Sequence, residues 1–299
     1  MGVWAQVLSW DYRGSAEMIL RYVDAKVLPG YVAVQKGKAN GYCFFVYEGT
    51  KGVVGDLFVS RSLGDDSALE ERLLTHGLST LQQSPGVQRV EAQLLLHETD
   101  TVAQPFLREG FRQHRRLFMV QQLKPDPGMR SAGSQIPPRV LPPDIEVRRW
   151  SDQDYQSAAS VITASYVEHI DAEINDQYHS HSGSLRFLNN IVRFPGCGVF
   201  DHAASYVIIH RPTRNMIGLI LCSRVKEDVG HVTQVCIVPD HRGRGLGAAL
   251  LGLTAAELRR RNFSSITLTV TEANHSAVEL YRYLGYTTRH IFDAFVWER

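Results

Sequence analysis

Apolar positions along this 299-residue chain recur with two periods, and the periods alternate twice in the same order. In the first half, YVAVQKG (31–37), GYCFFVYEG (41–49) and VVGDLFVS (53–60) are short β-branched and aromatic runs, the last two separated by a turn at Lys51-Gly52. In the second half, SYVIIHR (205–211), IGLILCSRV (217–225) and VGHVTQVCIVP (229–239) repeat the pattern, with Lys226 to Asp228 as the corresponding turn. Such runs predict antiparallel strands joined by hairpins. Each set is followed by a segment of helical period (Ala68 to Leu81; Leu246 to Arg261) and then by a strand (Arg89 to Leu96; Ser265 to Val270). A short helix and a Gly-aromatic pair, Gly110-Phe111 or Gly285-Tyr286, close each set. Order and punctuation coincide, which implies a tandem duplication rather than two unrelated domains. The fold class is therefore α/β (α+β), with two similar units, each a mixed, mainly antiparallel sheet flanked by helices.

A linker separates the halves. Six of the 12 prolines lie between Pro125 and Pro143, in PDPGMRSAGSQIPPRVLPP, which has little that can pack. The expected division is a domain over 1–124, a linker over 125–143 and a domain over 144–299, the last opening with a strand from Ile145 to Trp150.

Composition narrows the class. With 44% hydrophobic residues the chain can bury a sizeable core. There is no uninterrupted apolar stretch of membrane-spanning length and no signal-like start, which suggests a cytoplasmic protein without a membrane partner. A net charge of +1, from 32 basic and 31 acidic residues, gives no global field that would favour nucleic acid. Cys43, Cys197, Cys222 and Cys236 stand singly in apolar runs, the pattern of small core residues in a reducing compartment.

The segment VCIVPDHRGRGLGAALLGLTAAELRRR carries the most chemistry. A β-branched strand, Val235 to Val238, meets Pro239, then a turn with Arg242, Gly243, Arg244, Gly245 and Gly247, then a helix with Leu246, Leu250, Leu253 and Leu258 on its apolar positions. Glycines let successive N–H groups face one concavity, and a helix start adds its dipole and free donors. Two arginines strengthen the case for a phosphate cradle. A P-loop is excluded by the missing Gly-Lys-Ser/Thr ending. Gly243, Gly245 and Ala248 formally satisfy G-x-G-x-x-A with Glu272 at the ribose-acid distance, but the preceding antiparallel strands and the short remaining chain argue against a dinucleotide fold.

The runs V-x-P-x-x-R-G-x-G-x-G-x-x-L (Val238 to Leu251) and N-x-x-A-x-x-L-Y-x-x-L-G-Y (Asn274 to Tyr286) resemble the GNAT N-acetyltransferase superfamily. The resemblance is strong over 145–299 and rests on topology alone in the first half. It implies an acetyl-CoA-dependent N-acetyltransferase, with acetyl-CoA as cosubstrate and no metal. Backbone amides of Arg242, Gly243, Arg244, Gly245, Leu246, Gly247 and Ala248 would hold the pyrophosphate, and Cys236, Ile237 and Val238 would pair with the pantetheine arm. Asn274, Ala277 and Tyr281 would complete the cofactor contacts. A strand bulge near Cys236 and Ile237 would polarise the thioester carbonyl. Tyr281 would protonate the leaving thiolate, a phenol of pKa about 10 facing a thiol of about 8.5. Core packing is the ordinary alternative for Tyr281, as N-capping is for Asn274.

The general base is less defined. Family members often carry an acid on the strand before the loop, whereas this chain has Val232, Thr233 and Gln234. His231, Glu272 and His275 are the nearest titratable candidates, and a nucleophilic Cys236 lacks a neighbouring base. The segment SYVEHIDAEINDQYHSHSG (165–183) sits where GNAT folds recognise their acceptor, and Glu168, Asp171, Glu173 and Asp176 give it an acidic bias suited to an amine. His169, His179 and His181 are a weak metal signal. Arg259, Arg260 and Arg261 complement a helix C-terminus.

In the first half Phe106 aligns with Tyr281, and Asp65 and Asp66 fall in the phosphate position. Residues 1–124 are therefore expected to be catalytically silent. The sequence implies transfer of acetyl to a primary amine in the second half, with a non-catalytic acyl-CoA sensor as the alternative, in a monomer or homodimer.

Overall fold

The computed structural model describes residues 2–60, 67–124, 141–193 and 198–299. Cys197, Asp65, Asp66 and the linker up to residue 140 lie outside these. In chain order the elements are α1 (Gly2–Leu8), α2 (Arg13–Asp24), β1 (Gly30–Gln35), β2 (Lys38–Glu48), β3 (Lys51–Val59), α3 (Ser67–Gln83), β4 (Arg89–Gln93), α4 (Ala103–Arg108) and β5 (Arg112–Gln122). The second half continues with β6 (Ile145–Arg149), α5 (Tyr155–Ser165), α6 (Ile170–Ile174), α7 (His181–Arg193), β7 (Val199–Phe200), β8 (Tyr206–His210), β9 (Asn215–Lys226), β10 (Val229–Ile237), α8 (Leu246–Arg260), β11 (Ser265–Thr271), α9 (His275–Tyr283) and β12 (Thr287–Glu298). Among the described residues no helix is long and apolar enough to cross a membrane.

Two compact units result, and they do not divide at the linker. The smaller comprises Arg13–Arg116 with His290–Arg299; the larger comprises the start of the chain to Tyr12 with Leu117–Arg289. The smaller unit takes the end of the chain because β12 pairs antiparallel with β4, from Ala294 opposite Gln93 to Glu298 opposite Arg89. In the larger unit the end of β5 lies next to β11.

Within the smaller unit the sheet runs β1-β2-β3-β4-β12, antiparallel except for β3 with β4. Lys51 and Gly52 lie in β3, and the turn falls two residues earlier, at Gly49-Thr50, with Gly49 at φ 62°. Lys51 tolerates burial because its ammonium meets Glu91 at 3.2 Å and Glu48 at 3.5 Å. Gly52 is pressed by Leu81 of α3, which a Cβ would meet at 2.6 Å.

The larger unit orders β5-β11-β10-β9-β8-β6. On one face α5 and α7 pack Ile162 and Leu188 against Val207, Leu219 and Leu221. On the other lies α8, whose Leu258 sits 2.6 Å from where a Cβ on Gly230 would be, so the glycine sets how closely helix and strand approach. Each fully buried leucine of this kind contributes about 2–3 kcal/mol of burial free energy.

The repeat is visible in detail. After α4, Gly110 has φ 79° and the Phe111 N–H donates to the Phe106 carbonyl at 3.1 Å. After α9, Gly285 has φ 85° and the Tyr286 N–H donates to the Tyr281 carbonyl at 2.9 Å. The left-handed glycine ends each helix and turns the next aromatic residue into the core. Phe106 stacks on Phe295 at 4.0 Å, so the position equivalent to Tyr281 is a core ring without a hydroxyl.

Candidate active site

The glycine turn has the conformation a cradle requires. After β10 a single 3-10 turn, Pro239–His241, leads to Gly243 (φ 73°) and Gly245 (φ 77°), both left-handed. The first helical bond of α8 runs from the Ala249 N–H to the Gly245 carbonyl at 3.0 Å. The amides of Leu246, Gly247 and Ala248 therefore precede the helical ladder, at the positive end of a 15-residue helix.

The two arginines act differently from the sequence-based expectation. Arg242 donates from Nε to the Ile237 carbonyl at 3.0 Å and from Nη2 to the Ser165 carbonyl at 2.6 Å. Its guanidinium thus ties the end of β10 to the end of α5, and its backbone N–H donates to the Pro239 carbonyl at 3.1 Å, so the amide expected in the cradle is committed to the turn before it. Arg244 donates to both carboxylate oxygens of Asp144 at 2.8 Å, with its Nη1 3.1 Å from His241 Nδ1. This hydrogen bonding holds the Asp144 carboxyl below its usual pKa.

Next to the cradle the sheet opens. β10 and β11 stay in parallel register only from Val229/Ser265 to Val232/Leu268, while β10 follows β9 through to Ile237. The register with β9 shifts between Val232 and Gln234, making Thr233 the extra residue of a bulge. The irregularity expected near Cys236 and Ile237 thus lies a few residues earlier, where the Thr233 hydroxyl donates to the Leu221 carbonyl at 3.2 Å.

Tyr281 is buried on α9, with ring centroids 5.8 Å from Tyr286. Asn274 caps the same helix, accepting at Oδ1 from the Ala277 N–H and the Ser276 hydroxyl, each at 3.3 Å. The Ala277 amide is committed to this cap.

A cleft of about 510 Å³ lies at the C-terminal end of α5, walled by Tyr166, Glu168, His169, Ala172, Glu173 and Tyr178 among others. The Tyr166 and Tyr178 rings stack at 4.2 Å and 17°. Gln234 holds both hydroxyls: its Nε2 donates to Tyr166 at 3.0 Å, and its Oε1 accepts from Tyr178 at 3.4 Å. Burial, reinforced by Tyr178 and other neighbours including Tyr281, pushes the Tyr166 pKa well above the phenol range, so its hydroxyl stays protonated. Sequence reasoning assigned none of Tyr166, Tyr178 and Gln234 to the site. The two tyrosines stood in the segment read for its carboxylates, and two tyrosines twelve residues apart give no sign that they will stack.

The base candidates fare less well. His231 is 6% exposed, its Nδ1 2.8 Å from the Thr267 hydroxyl and its ring 4.9 Å from Trp10 and 6.1 Å from Phe118. Burial pushes its pKa down to about 3, which makes it a neutral core histidine rather than a proton acceptor for substrate. Glu272 and His275 are exposed and are not among the residues walling the cleft. Burial raises the Cys236 thiol to about 11, so it offers no thiolate for a covalent route.

Among the other histidines and arginines singled out in the sequence, His181, Arg260 and Arg261 have structural partners. Among the described residues no three His, Cys, Asp or Glu side chains converge to hold a metal. His181 is tethered to Gln156 at 2.9 Å and Ser160 at 3.3 Å. Arg260 pairs with Glu257 and Arg261 with Asp201, both at 2.7 Å.

With this geometry in place, comparison with known proteins defines the class. Residues 166–286 match the Acetyltransferase (GNAT) family, so the larger unit carries a GNAT acetyltransferase domain. Proteins called mycothiol acetyltransferase are similar in sequence: that of Renibacterium salmoninarum is 29% identical over 52% of this chain and 44% of its own length. That of Thermobispora bispora is 46% identical over 20% of each. The chain thus spans less than half the length of these curated relatives in the matched stretches.

Solved structures extend the likeness in fold to the whole chain. A GCN5-related N-acetyltransferase from Sphaerobacter thermophilus superposes with a TM-score of 0.65 at 18% identity, covering 99% of this chain and 91% of that one. A tandem GNAT protein of the clavulanic acid biosynthesis pathway gives 0.60 at 14% identity, covering 91% and 82%. At these identities the likeness shows the fold, and the first half shares it.

Proposed function

We propose that the larger unit transfers the acetyl group of acetyl-CoA to a primary amine by direct attack on the thioester. The observation that carries this reading is the arrangement along β10. At its C-terminal end two left-handed glycines and the open start of α8 present amide donors for a pyrophosphate. Along its splayed portion Gln234 organises the tyrosine wall of a cleft.

Each residue then has a part. The cradle amides hold the diphosphate, with Arg244 adding charge when it leaves Asp144. The splayed strand supplies backbone groups to the acyl-bearing arm. The amine attacks the carbonyl carbon, the C–N bond forms as the C–S bond breaks, and Tyr281 gives its proton to the departing thiolate. Direct attack is favoured over a covalent intermediate because Cys236 is held as a thiol. Aromatic faces together with Glu168 and Glu173 suit a cationic acceptor. The smaller unit, with Phe106 in the place of Tyr281, serves as a structural partner. The names of the relatives make an acceptor of the mycothiol type a natural member of any panel tested.

A second reading, an acyl-CoA sensor, is favoured by one observation, the amide of Gln234 on a strand where related enzymes often carry an acid. Release of CoA thiol from acetyl-CoA, measured against a panel of alkylamines, amino sugars and peptide N-termini, separates the two. The transferase reading expects saturable turnover on at least one amine. Tight acetyl-CoA binding without turnover on any of them would establish the sensor.

A further inference from the structure

Attack on a thioester moves negative charge onto the carbonyl oxygen, and donors aimed at that oxygen are commonly the largest contribution to lowering the barrier. The bulge expected to supply one near Cys236 lies at Thr233 instead, and from Gln234 to Ile237 β10 follows β9 in regular register. A side-chain donor stands beside this stretch.

Tyr166 follows the last turn of α5 and packs against the cluster that contains Cys236 and Tyr178. Its ring lies flat on Tyr178 at 4.2 Å and edge-on to His169 at 5.0 Å. His169 in turn lies 3.3 Å from Asn274, the cap of α9, which is the helix that carries Tyr281. The phenol thus stands between the strand assigned to the acyl-bearing arm and the helix of the thiolate's proton donor. Cys236 and Tyr281 are both close enough to act on it electrostatically.

The hydrogen bonds of this phenol have a direction. The Tyr178 hydroxyl donates to Gln234 Oε1 at 3.4 Å, and Gln234 Nε2 donates to the Tyr166 oxygen at 3.0 Å. An amide nitrogen has only protons to give, so Tyr166 accepts in this pair and keeps its own proton for another acceptor. Among the described residues none takes that proton. Tyr166 is part of the cleft wall, so the unmatched donor is available to whatever occupies the cleft.

We propose that the Tyr166 hydroxyl donates a hydrogen bond to the thioester carbonyl oxygen and stabilises the oxyanion formed when the amine attacks. This rests on the transferase reading above.

The proton of Tyr166 stays on its oxygen throughout. The neutral amine forms the C–N bond, the carbonyl π pair moves to oxygen, where the Tyr166 hydroxyl meets it, and the return of that pair breaks the C–S bond. The nitrogen's proton makes up the one Tyr281 delivers to the thiolate. Burial, with the neighbouring Tyr178, holds the Tyr166 pKa well above the phenol range, which keeps it a donor at neutral pH. Gln234 suits this task because it gives one hydrogen bond and takes one. A carboxylate in its place would accept from both phenols and draw the Tyr166 proton away from the cleft.

The test is the single-turnover rate of CoA-thiol release for wild type, Tyr166→Phe and Gln234→Glu, with acetyl-CoA affinity measured by calorimetry. Tyramine, spermidine and glucosamine are the acceptor probes. Tyr166→Phe keeps the stacked ring, and thermal unfolding checks that it folds. Its rate at saturating amine should fall about 100-fold, while acetyl-CoA affinity and the amine concentration at half-saturation stay within about twofold. Gln234→Glu should lose rate as well, because its carboxylate takes the Tyr166 proton. Acetyldithio-CoA, with sulfur in place of the carbonyl oxygen, is a poor hydrogen-bond acceptor at that atom. The oxygen-to-sulfur rate ratio should therefore be about tenfold larger in wild type than in Tyr166→Phe. An unchanged saturated rate in Tyr166→Phe, a loss confined to amine half-saturation, an equal oxygen-to-sulfur ratio in both proteins, or full activity in Gln234→Glu would overturn the assignment while leaving the transferase reading intact. No wild-type turnover on any probe would overturn both.

Discussion

The hydroxyl of Tyr166 accepts a hydrogen bond from Nε2 of Gln234 at 3.0 Å, and Tyr178 donates to the same amide. The side chain just past the β10 bulge therefore orients two rings of the cleft and carries no charge. Gln234→Leu removes the hydrogen bond that each phenol makes to this amide, at a cost of about 1–3 kcal/mol in all. The expected result is a fall of several degrees in Tm together with a raised KM for the amine, and an unchanged acetyl-CoA affinity in calorimetry.

The two arginines of the glycine turn should separate in the same assays. Arg242 satisfies two backbone carbonyls, so Arg242→Ala should destabilise the protein by about 2–4 kcal/mol, with little rescue by Arg242→Lys, which lacks the planar fork. Arg244 makes a surface pair with Asp144. Arg244→Ala should leave thermal stability within about 1 kcal/mol and raise the KM for acetyl-CoA. Denaturant unfolding and steady-state kinetics on the three variants check both.

Gly243 isolates the conformational requirement of the cradle. A Cβ there would meet nothing within 4 Å, yet φ is 73°. Gly243→Ala thus carries only the left-handed penalty of about 1–2 kcal/mol, which either strains the fold or flattens the turn. We expect about a tenfold weaker acetyl-CoA affinity by calorimetry.

His231 gives a pH signature. Its folded pKa, about 3, lies below the ordinary value of 6.5 because burial disfavours the charged ring. Below pH 6.5 the unfolded chain takes up a proton that the folded one refuses. The stabilisation is therefore complete above 6.5 and is lost as pH falls toward 3, at about 1.4 kcal/mol per pH unit. Stability measured between pH 6.5 and pH 4 should fall less steeply in His231→Gln than in wild type.

Much of this was legible in the chain. The duplicated order of strands and helices, the Gly-aromatic helix ends and the RGRGLG turn are local signals, each with a backbone requirement that a sequence displays. α8 begins at Leu246 as its periodicity implied. The unread parts are long-range. Nothing local shows that β12 leaves its own half to pair with β4, or that Trp10 will cover His231. Arg242 resembles a phosphate ligand until the Ser165 carbonyl, 77 residues earlier, is seen to occupy it. The tyrosine wall of the cleft was hidden for the same reason: Tyr166, Tyr178 and Gln234 become one unit only when α5, the turn before α7 and β10 converge.

The most direct test of the central claim compares wild type with Tyr281→Phe in CoA-thiol release, with acetyl-CoA affinity measured alongside. If the larger unit transfers acetyl with Tyr281 as the thiolate's proton donor, kcat should fall by about 100-fold or more while cofactor affinity changes little. Full activity in Tyr281→Phe would contradict the proton-donor role, and wild-type binding without turnover would contradict the transferase itself.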